Sequence, residues 1–166
     1  MAVVNTKSVS ITNLDAVQVT LNPVTLVGGR VRSIADTVEV AEEDSDGSVF
    51  RMARVHSSWR IPSIKVLNDA IADGTAYEVG LYQTAANGGA VVDADAYASA
   101  VDMSAARTAP VELAFEARNV DKVRNYVWQD AGLTSDPGRF YDLCFTATTV
   151  GTAAGTISTL VEYVAD

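Results

Sequence analysis

The sequence predicts a mainly β protein, an antiparallel β-sandwich of the jelly-roll type with one short helix. Alternating apolar and polar residues recur along the 166 residues, turn dipeptides separate these runs, and helical spacing is scarce. About eight to ten strands fit this length, and that number suits a jelly roll better than a seven-stranded immunoglobulin sandwich of roughly 100 residues.

The chain begins with a polar, weakly patterned stretch. We predict an extended N-terminal arm over residues 1–14 and a single β-sandwich domain over residues 15–166. The first alternating run of that domain places Val17, Val19 and Leu21 on one face of a predicted strand.

Four later runs continue the alternation, and their Val and Thr content suits a pleated sheet. They predict strands over residues 49–56, 77–82, 143–148 and 157–163. Within the first of these runs, strict alternation places Arg51 and Arg54 on opposite faces.

Glycine and proline mark where the strands end or bend. Tight turns are predicted at Asp46-Gly47, Asp73-Gly74 and Asn87-Gly88, and a hairpin loop at residues 151–155. Because Pro62 cannot donate to a β-ladder, the run around it is predicted to be an edge strand or to carry a bulge.

Helical spacing is found in one segment. Apolar residues spaced three or four apart predict a helix near residues 120–131, with Asn119 as its N-cap and Gly132 just after its end. The alanine-rich segment 93–101 also fits a short helix with Tyr97 and Val101 inward, but alanine does not decide the matter.

The composition excludes several classes of protein. A net charge of −9 argues against a typical nucleic-acid binder, which needs a basic face. Residues 1–20 lack the unbroken apolar stretch of a secretory signal, and no window approaches the ~20 apolar residues of a membrane span. The single cysteine, Cys144, is interpreted as a buried small hydrophobe in a protein made in a reducing cytoplasm.

The sequence contains no convincing catalytic group. His56, the only histidine, precedes Ser57, but neighbours on a strand point to opposite faces, so the two are not expected to meet. We therefore predict a non-enzymatic protein with no catalytic residues and no cofactor.

One acidic run resembles the start of a calcium loop. Glu42, Asp44 and Asp46 precede Gly47 at alternate positions, but Ala53 stands where an EF-hand requires a bidentate glutamate. The main interpretation is a solvated acidic hairpin tip without metal. A looser calcium site at these three residues is the alternative.

Arginine is concentrated in the first half of the chain, and nine Arg against three Lys is typical of a protein–protein surface. A partner interface is one interpretation of this cluster, and cross-strand ion pairing on a solvated face is the other. Its members are Arg30, Arg32, Arg51, Arg54 and Arg60. Both tryptophans, Trp59 and Trp128, are expected in the core.

Four stretches together resemble virion proteins of tailed bacteriophages. They are residues 33–40, 80–100, 127–133 and the tripeptide 141–143. The sequence is most similar to the capsid cement, or decoration, proteins of short-tailed phages, over most of residues 33–163. No stretch is a catalytic or binding motif, so no residue role is carried over.

This resemblance implies a jelly-roll protein on the outer surface of a bacteriophage capsid, where it stabilises contacts between major capsid subunits. The implied partners are the major capsid protein and further copies of the chain, as a homodimer or homotrimer, with no nucleic acid and no membrane. The implied location is the capsid exterior, after assembly in the bacterial cytoplasm. The alternatives are another phage β-structural part (tail, fibre or head–tail joining protein) or a carbohydrate-binding jelly roll.

Overall fold

A computed structural model describes residues 7–22 and 29–165. Within these ranges the chain forms eight strands and a few short helical segments. The strands are β1 (Arg30–Val40), β2 (Val49–His56), β3 (Arg60–Asn68), β4 (Ala76–Gln83), β5 (Val91–Val101), β6 (Arg107–Glu112), β7 (Phe140–Thr149) and β8 (Gly155–Ala165). The helices are α1 (Val9–Leu14) and α2 (Val127–Asp130), with single 3-10 turns at Ala85–Asn87 and Val120–Arg124.

The strands form two four-stranded sheets, ordered β1-β8-β3-β6 and β2-β7-β4-β5. The order follows from one long ribbon of four strand pairs, which are β1 with β8, β2 with β7, β3 with β6, and β4 with β5. The ribbon is rolled up so that β8 also pairs with β3 and β7 also pairs with β4. Such a rolled ribbon is the jelly roll, so the predicted fold class is confirmed. The four later predicted strands lie within β2, β4, β7 and β8, and the three predicted tight turns lie in loops between strands. The hairpin loop predicted at residues 151–155 is wrong, because β7 and β8 belong to different sheets and Gly155 begins β8.

The core lies between the two sheets. Leu143 and Phe145 of β7 are fully buried, and they stand directly opposite Leu81 and Val79 of β4. Burying each such side chain contributes roughly 1.5–3 kcal/mol relative to leaving it in water. The facing sheet supplies the other wall, which includes Ile64, Val66, Ile157 and Val161.

Bulges interrupt this regular pairing. β3 lies between β8 and β6, and its register with β8 shifts between Arg60 and Ser63. Of the two predictions for Pro62, the bulge is therefore confirmed and the edge strand is wrong. A second bulge falls in β2, where the register with β7 shifts between Arg51 and Ala53.

The alanine-rich segment 93–101 is part of β5 and is not a helix. Tyr97 and Val101 do point inward, as the helical interpretation also required, and Tyr97 is fully buried. The register of β4 with β5 shifts around Gly80, and the β5 backbone at Asp93 and Ala94 lies so close to Gly80 that a Cβ there would clash with it. Only glycine permits this approach of two backbones.

The predicted helix near 120–131 is present only as two short pieces. A 3-10 turn over Val120–Arg124 and the helix α2 are separated by Asn125 and Tyr126, which are extended. Tyr126 forms a β-bridge with Arg60, and this tertiary contact overrides the helical spacing. Gly132 follows the end of α2 with a left-handed φ of 71°, as predicted.

The chain divides into two compact units, residues 1–30 and residues 31–166, and the predicted domain boundary at residue 15 stays a prediction. In the first unit, the Ser8 hydroxyl caps α1, and residues 9–14 are helical where we predicted an extended arm. Residues 1–6 of that arm lie outside the described residues. The strand predicted at Val17–Leu21 is wrong, because the structure places no strand there and leaves its apolar side chains exposed.

Candidate interaction surface

The bulge in β2 changes which side chains share a face. Arg51 stands opposite Cys144 and Arg54 opposite Asp142, with Met52 as the extra residue between them. Strict alternation would place the two arginines on opposite faces, but the added residue brings both to the outer face of the sheet.

Both arginines bind one carboxylate. Arg54 donates to Asp142 through Nε (2.8 Å) and Nη2 (3.4 Å), and Arg51 donates to it through Nη1 (2.9 Å). The Asp142 side chain is 6% exposed, whereas that of Arg54 is 58% exposed. The cluster therefore carries one net positive charge on a protein whose net charge is −9.

Arg51 is held from several directions. Its guanidinium also donates to the carbonyls of Gln83 and Gly89, each at 2.9 Å. It lies 5.6 Å from the ring centroid of Tyr82, within cation–π range. With Met52 and Ala53, the three charged residues line an open depression of about 310 Å³.

An aromatic group continues this face toward one end of the sandwich. His56 stands opposite Phe140, two positions along each strand from Arg54 and Asp142, and their rings pack edge to face at 4.8 Å. Trp59 packs edge-on against Phe140 at 6.3 Å. Phe140 itself is 45% exposed. We call Arg51, Arg54, His56, Phe140 and Asp142 the Arg54–Phe140 patch.

The remaining predicted interface residues lie elsewhere. Arg30 and Arg32 are exposed on β1, in the other sheet, and Arg60 is buried on β3 beside the ring of Tyr126. The structure thus brings together two of the five arginines, and the role of all five as an interface stays a prediction. Trp59 and Trp128 are half-buried rather than fully enclosed.

The acidic residues of the calcium candidate have backbone partners. Asp44 accepts from the Ala41 N–H at 2.8 Å, and Asp46 accepts from the Val150 N–H at 2.9 Å. Over residues 7–22 and 29–165, no three His, Cys, Asp or Glu side chains are grouped to hold a metal. The predicted hairpin tip is wrong, because these residues lie in the loop that joins β1 to β2, and the two strands belong to different sheets. Two of the three carboxylates, those of Asp44 and Asp46, fix this loop.

The hydroxyl of Ser57 and the thiol of Cys144 have structural surroundings rather than those of a nucleophile. Ser57 donates to Asp136, while the His56 ring lies 2.9 Å from the hydroxyl of Ser58, so His56 and Ser57 do not meet, as predicted. Cys144 is fully buried, and burial raises the pKa of its thiol to about 12, which keeps it protonated.

Sequence reasoning missed a buried ion pair between Arg118 and Asp130. Their side chains are 4% and 2% exposed and approach to 2.6 Å. The Arg118 guanidinium lies between the rings of Tyr97 and Phe115, at 4.8 and 4.9 Å. Burial raises the pKa of Asp130 above its ordinary value, and the charge of Arg118 opposes that shift. No spacing in the sequence signals this pair.

No protein-family model matches the sequence, and neither does any curated protein. Two solved structures do match. A chain of the cyanophage Pam1 capsid asymmetric unit is 14% identical with a TM-score of 0.54, and the match covers 92% of this chain and 97% of that one. A chain of the capsid of Ralstonia phage GP4 is 13% identical with a TM-score of 0.57, covering 90% and 93%. At these identities the similarity establishes a shared fold. In the described ranges no helix is long and apolar enough to span a membrane.

Proposed function

We propose that this protein is a non-enzymatic structural component of a bacteriophage virion that binds the outer surface of the capsid and stabilises contacts between major capsid subunits. One observation carries the proposal: the fold matches chains of two phage capsid structures over more than nine-tenths of both partners. The match spans almost all of those chains as well as this one, so the proposal rests on the whole fold and not on a fragment of it.

The charge of the protein supports a position outside the shell. Packaged DNA is a dense polyanion, and a protein with a net charge of −9 is repelled by it. The exterior of a capsid imposes no such repulsion. An acidic protein made in the bacterial cytoplasm fits that location.

The segment before the sandwich supports a role in partner contacts. All its large apolar side chains between residues 7 and 22 are exposed, and such a segment gains little by burial within its own unit. They are Val9, Ile11, Leu14, Val17, Val19 and Leu21. We propose that this segment lies as an arm on a neighbouring subunit, in a homodimer, a homotrimer or the shell.

The test is reconstitution on capsids purified from a phage lacking this gene. We expect the purified protein to bind at a fixed ratio to the major capsid protein and to raise the temperature at which the capsids rupture. An unrelated acidic protein of similar size is the control. Capsids that neither recruit the protein nor gain stability would contradict the proposal.

The same preparation separates the alternatives. A tail, fibre or head–tail joining protein should appear at the unique vertex or the tail in electron micrographs of labelled virions, rather than over the whole shell. A carbohydrate-binding jelly roll should bind a glycan array, and substitution of an exposed aromatic residue such as Phe140 should abolish that binding.

A further inference from the structure

We propose that the Arg54–Phe140 patch is a docking surface for an acidic protein segment, which places a carboxylate against Arg51 and Arg54 and an apolar side chain on Phe140. The inference rests on the proposed function, because it names the surface that would meet the capsid. Three observations carry it: Arg54 has hydrogen-bond donors that the described residues do not use, Asp142 fixes the two arginines, and Phe140 is exposed beside them.

Arg54 has donors that its own chain does not use. Its Nε and Nη2 atoms bind Asp142, while Nη1 has no hydrogen-bond partner among the described residues. The side chain is 58% exposed and borders the open depression. An incoming carboxylate can accept from Nη1 without displacing the Asp142 pair, and charge-assisted bonds of this kind are roughly twice as strong as neutral ones.

Asp142 holds this site in shape before a partner arrives. Its two oxygens bind both guanidinium groups, and the carbonyls of Gln83 and Gly89 further fix Arg51. A fixed guanidinium loses little conformational entropy on binding, so more of the contact energy appears as affinity. Two arginines against one aspartate leave a charge of +1, which a single partner carboxylate neutralises.

Phe140 supplies the apolar half of the surface. Phe140 is 45% exposed, but the rings of His56 and Trp59 pack against its ring, so it is an exposed anchor on a rigid strand. Arginine next to an aromatic residue is the composition of interface hot spots, where a few side chains carry most of the binding energy.

The charge balance favours a protein segment over a polyanion. A protein of net charge −9 repels a nucleic acid at long range. One or two carboxylates are repelled much less, because salt screens charges more than about 8 Å away and the charge next to them is the +1 of the patch. The chemistry therefore selects an acidic loop or strand of a capsid subunit.

The experiment compares two arginine substitutions of equal charge change. R54E alters the patch, and R32E alters an exposed arginine on β1 in the other sheet, so non-specific electrostatics are matched. Affinity for capsids lacking the protein is measured by co-sedimentation at several salt concentrations. We expect R54E to weaken binding at least about tenfold, F140A to weaken it severalfold, and R32E to leave it unchanged.

Each outcome has a separate meaning. If the wild-type protein binds and R54E binds equally well, or if R32E weakens binding as much as R54E, the docking surface is overturned while the proposed function stands. If the wild-type protein does not bind capsids, both fail. If F140A abolishes glycan binding but leaves capsid binding intact, the patch serves a sugar and the inference is overturned. R54Q removes the charge of Arg54 without introducing a negative one, and its melting temperature is measured beside its binding, so weaker binding at an unchanged melting temperature does not reflect misfolding.

Discussion

Two arginine–aspartate clusters in this protein are built from the same groups and differ in what surrounds them. Arg118 donates to Asp130 and to the carbonyls of Ala114 and Ile61, and two aromatic rings cover its faces. Arg54 shares its carboxylate with a second arginine and leaves one edge in water.

The difference teaches what burial does to an ion pair. In the sealed cluster, which is Arg118 with Asp130, the guanidinium joins three chain segments, because each of its nitrogens has a partner in the protein. In the open cluster, which is Arg51 and Arg54 with Asp142, the carboxylate is buried but the guanidinium of Arg54 still has a donor available to a partner. The first arrangement holds the fold, and the second is available for recognition.

The largest expected effect comes from breaking the sealed cluster. D130A leaves Arg118 buried without its carboxylate, and loss of one partner of a buried pair typically costs about 3–5 kcal/mol. Urea unfolding measures the change. The double variant R118M/D130L should recover much of the loss, because it leaves no unpaired charge. A D130A protein as stable as the wild type would contradict the assignment.

D142A should have a smaller effect on stability. It removes the carboxylate that binds Arg51 and Arg54, but Arg54 can turn into water and Arg51 keeps its bonds to the carbonyls of Gln83 and Gly89, so we expect a loss of about 1–3 kcal/mol. The same urea titration reports it. If D142A is more destabilising than D130A, the distinction between an open and a sealed cluster is wrong.

R54Q should hardly change stability. Ion pairs that stay in contact with water contribute little to stability, and the Arg54 side chain is mostly in water. We expect a melting temperature close to that of the wild type together with weaker capsid binding, so differential scanning fluorimetry and co-sedimentation should disagree for this variant. A stability loss as large as that of D142A would mean that Arg54 is structural.

The smallest effect concerns a third, exposed carboxylate. The hydroxyl of Ser57 and the N–H of Gly138 hold the pKa of Asp136 below its ordinary value. The ionised form is therefore favoured by folding, so its contribution is present above the unfolded pKa of about 3.9 and is lost as the pH falls through the lower folded value. Melting temperatures between pH 5 and pH 2.5 should fall less steeply for D136N than for the wild type. Parallel curves would contradict this.

Half of the eight described strands could be predicted from local alternation, whereas β1 and β6 were not predicted. The alternation predicted β2, β4, β7 and β8, because one face of each strand is apolar and an apolar residue at every second position strongly indicates a strand. β5 was ambiguous because alanine fits either structure, and its register shift around Gly80 depends on a neighbouring strand. The same signal misled at Val17–Leu21, where alternation is present and the structure places no strand.

The candidate site was predicted only in part. Arginine clustering pointed to Arg51 and Arg54, but the bulge at Met52 that brings them together leaves no mark in the sequence. Asp142 lies 88 residues from Arg54 in the chain, so no spacing rule connects them. The pairing of distant strands decides both features, and a single sequence does not report it.

The rolled ribbon has a consequence for how the protein is made. Of the four strand pairs of the ribbon, one joins strands that are adjacent in sequence, namely β4 and β5. The partner of β2 is β7, and the partners of β3 are β6 and β8, so these strands pair with segments that are synthesised much later. Folds dominated by such distant contacts form slowly, on the scale of about milliseconds to seconds. The entropy cost of closing a long loop must be met before the strand pairs can stabilise the chain. On the ribosome, β1 to β3 therefore emerge long before their partners. The sandwich closes only after β8 has been synthesised, and until then its unpaired strands are exposed to aggregation.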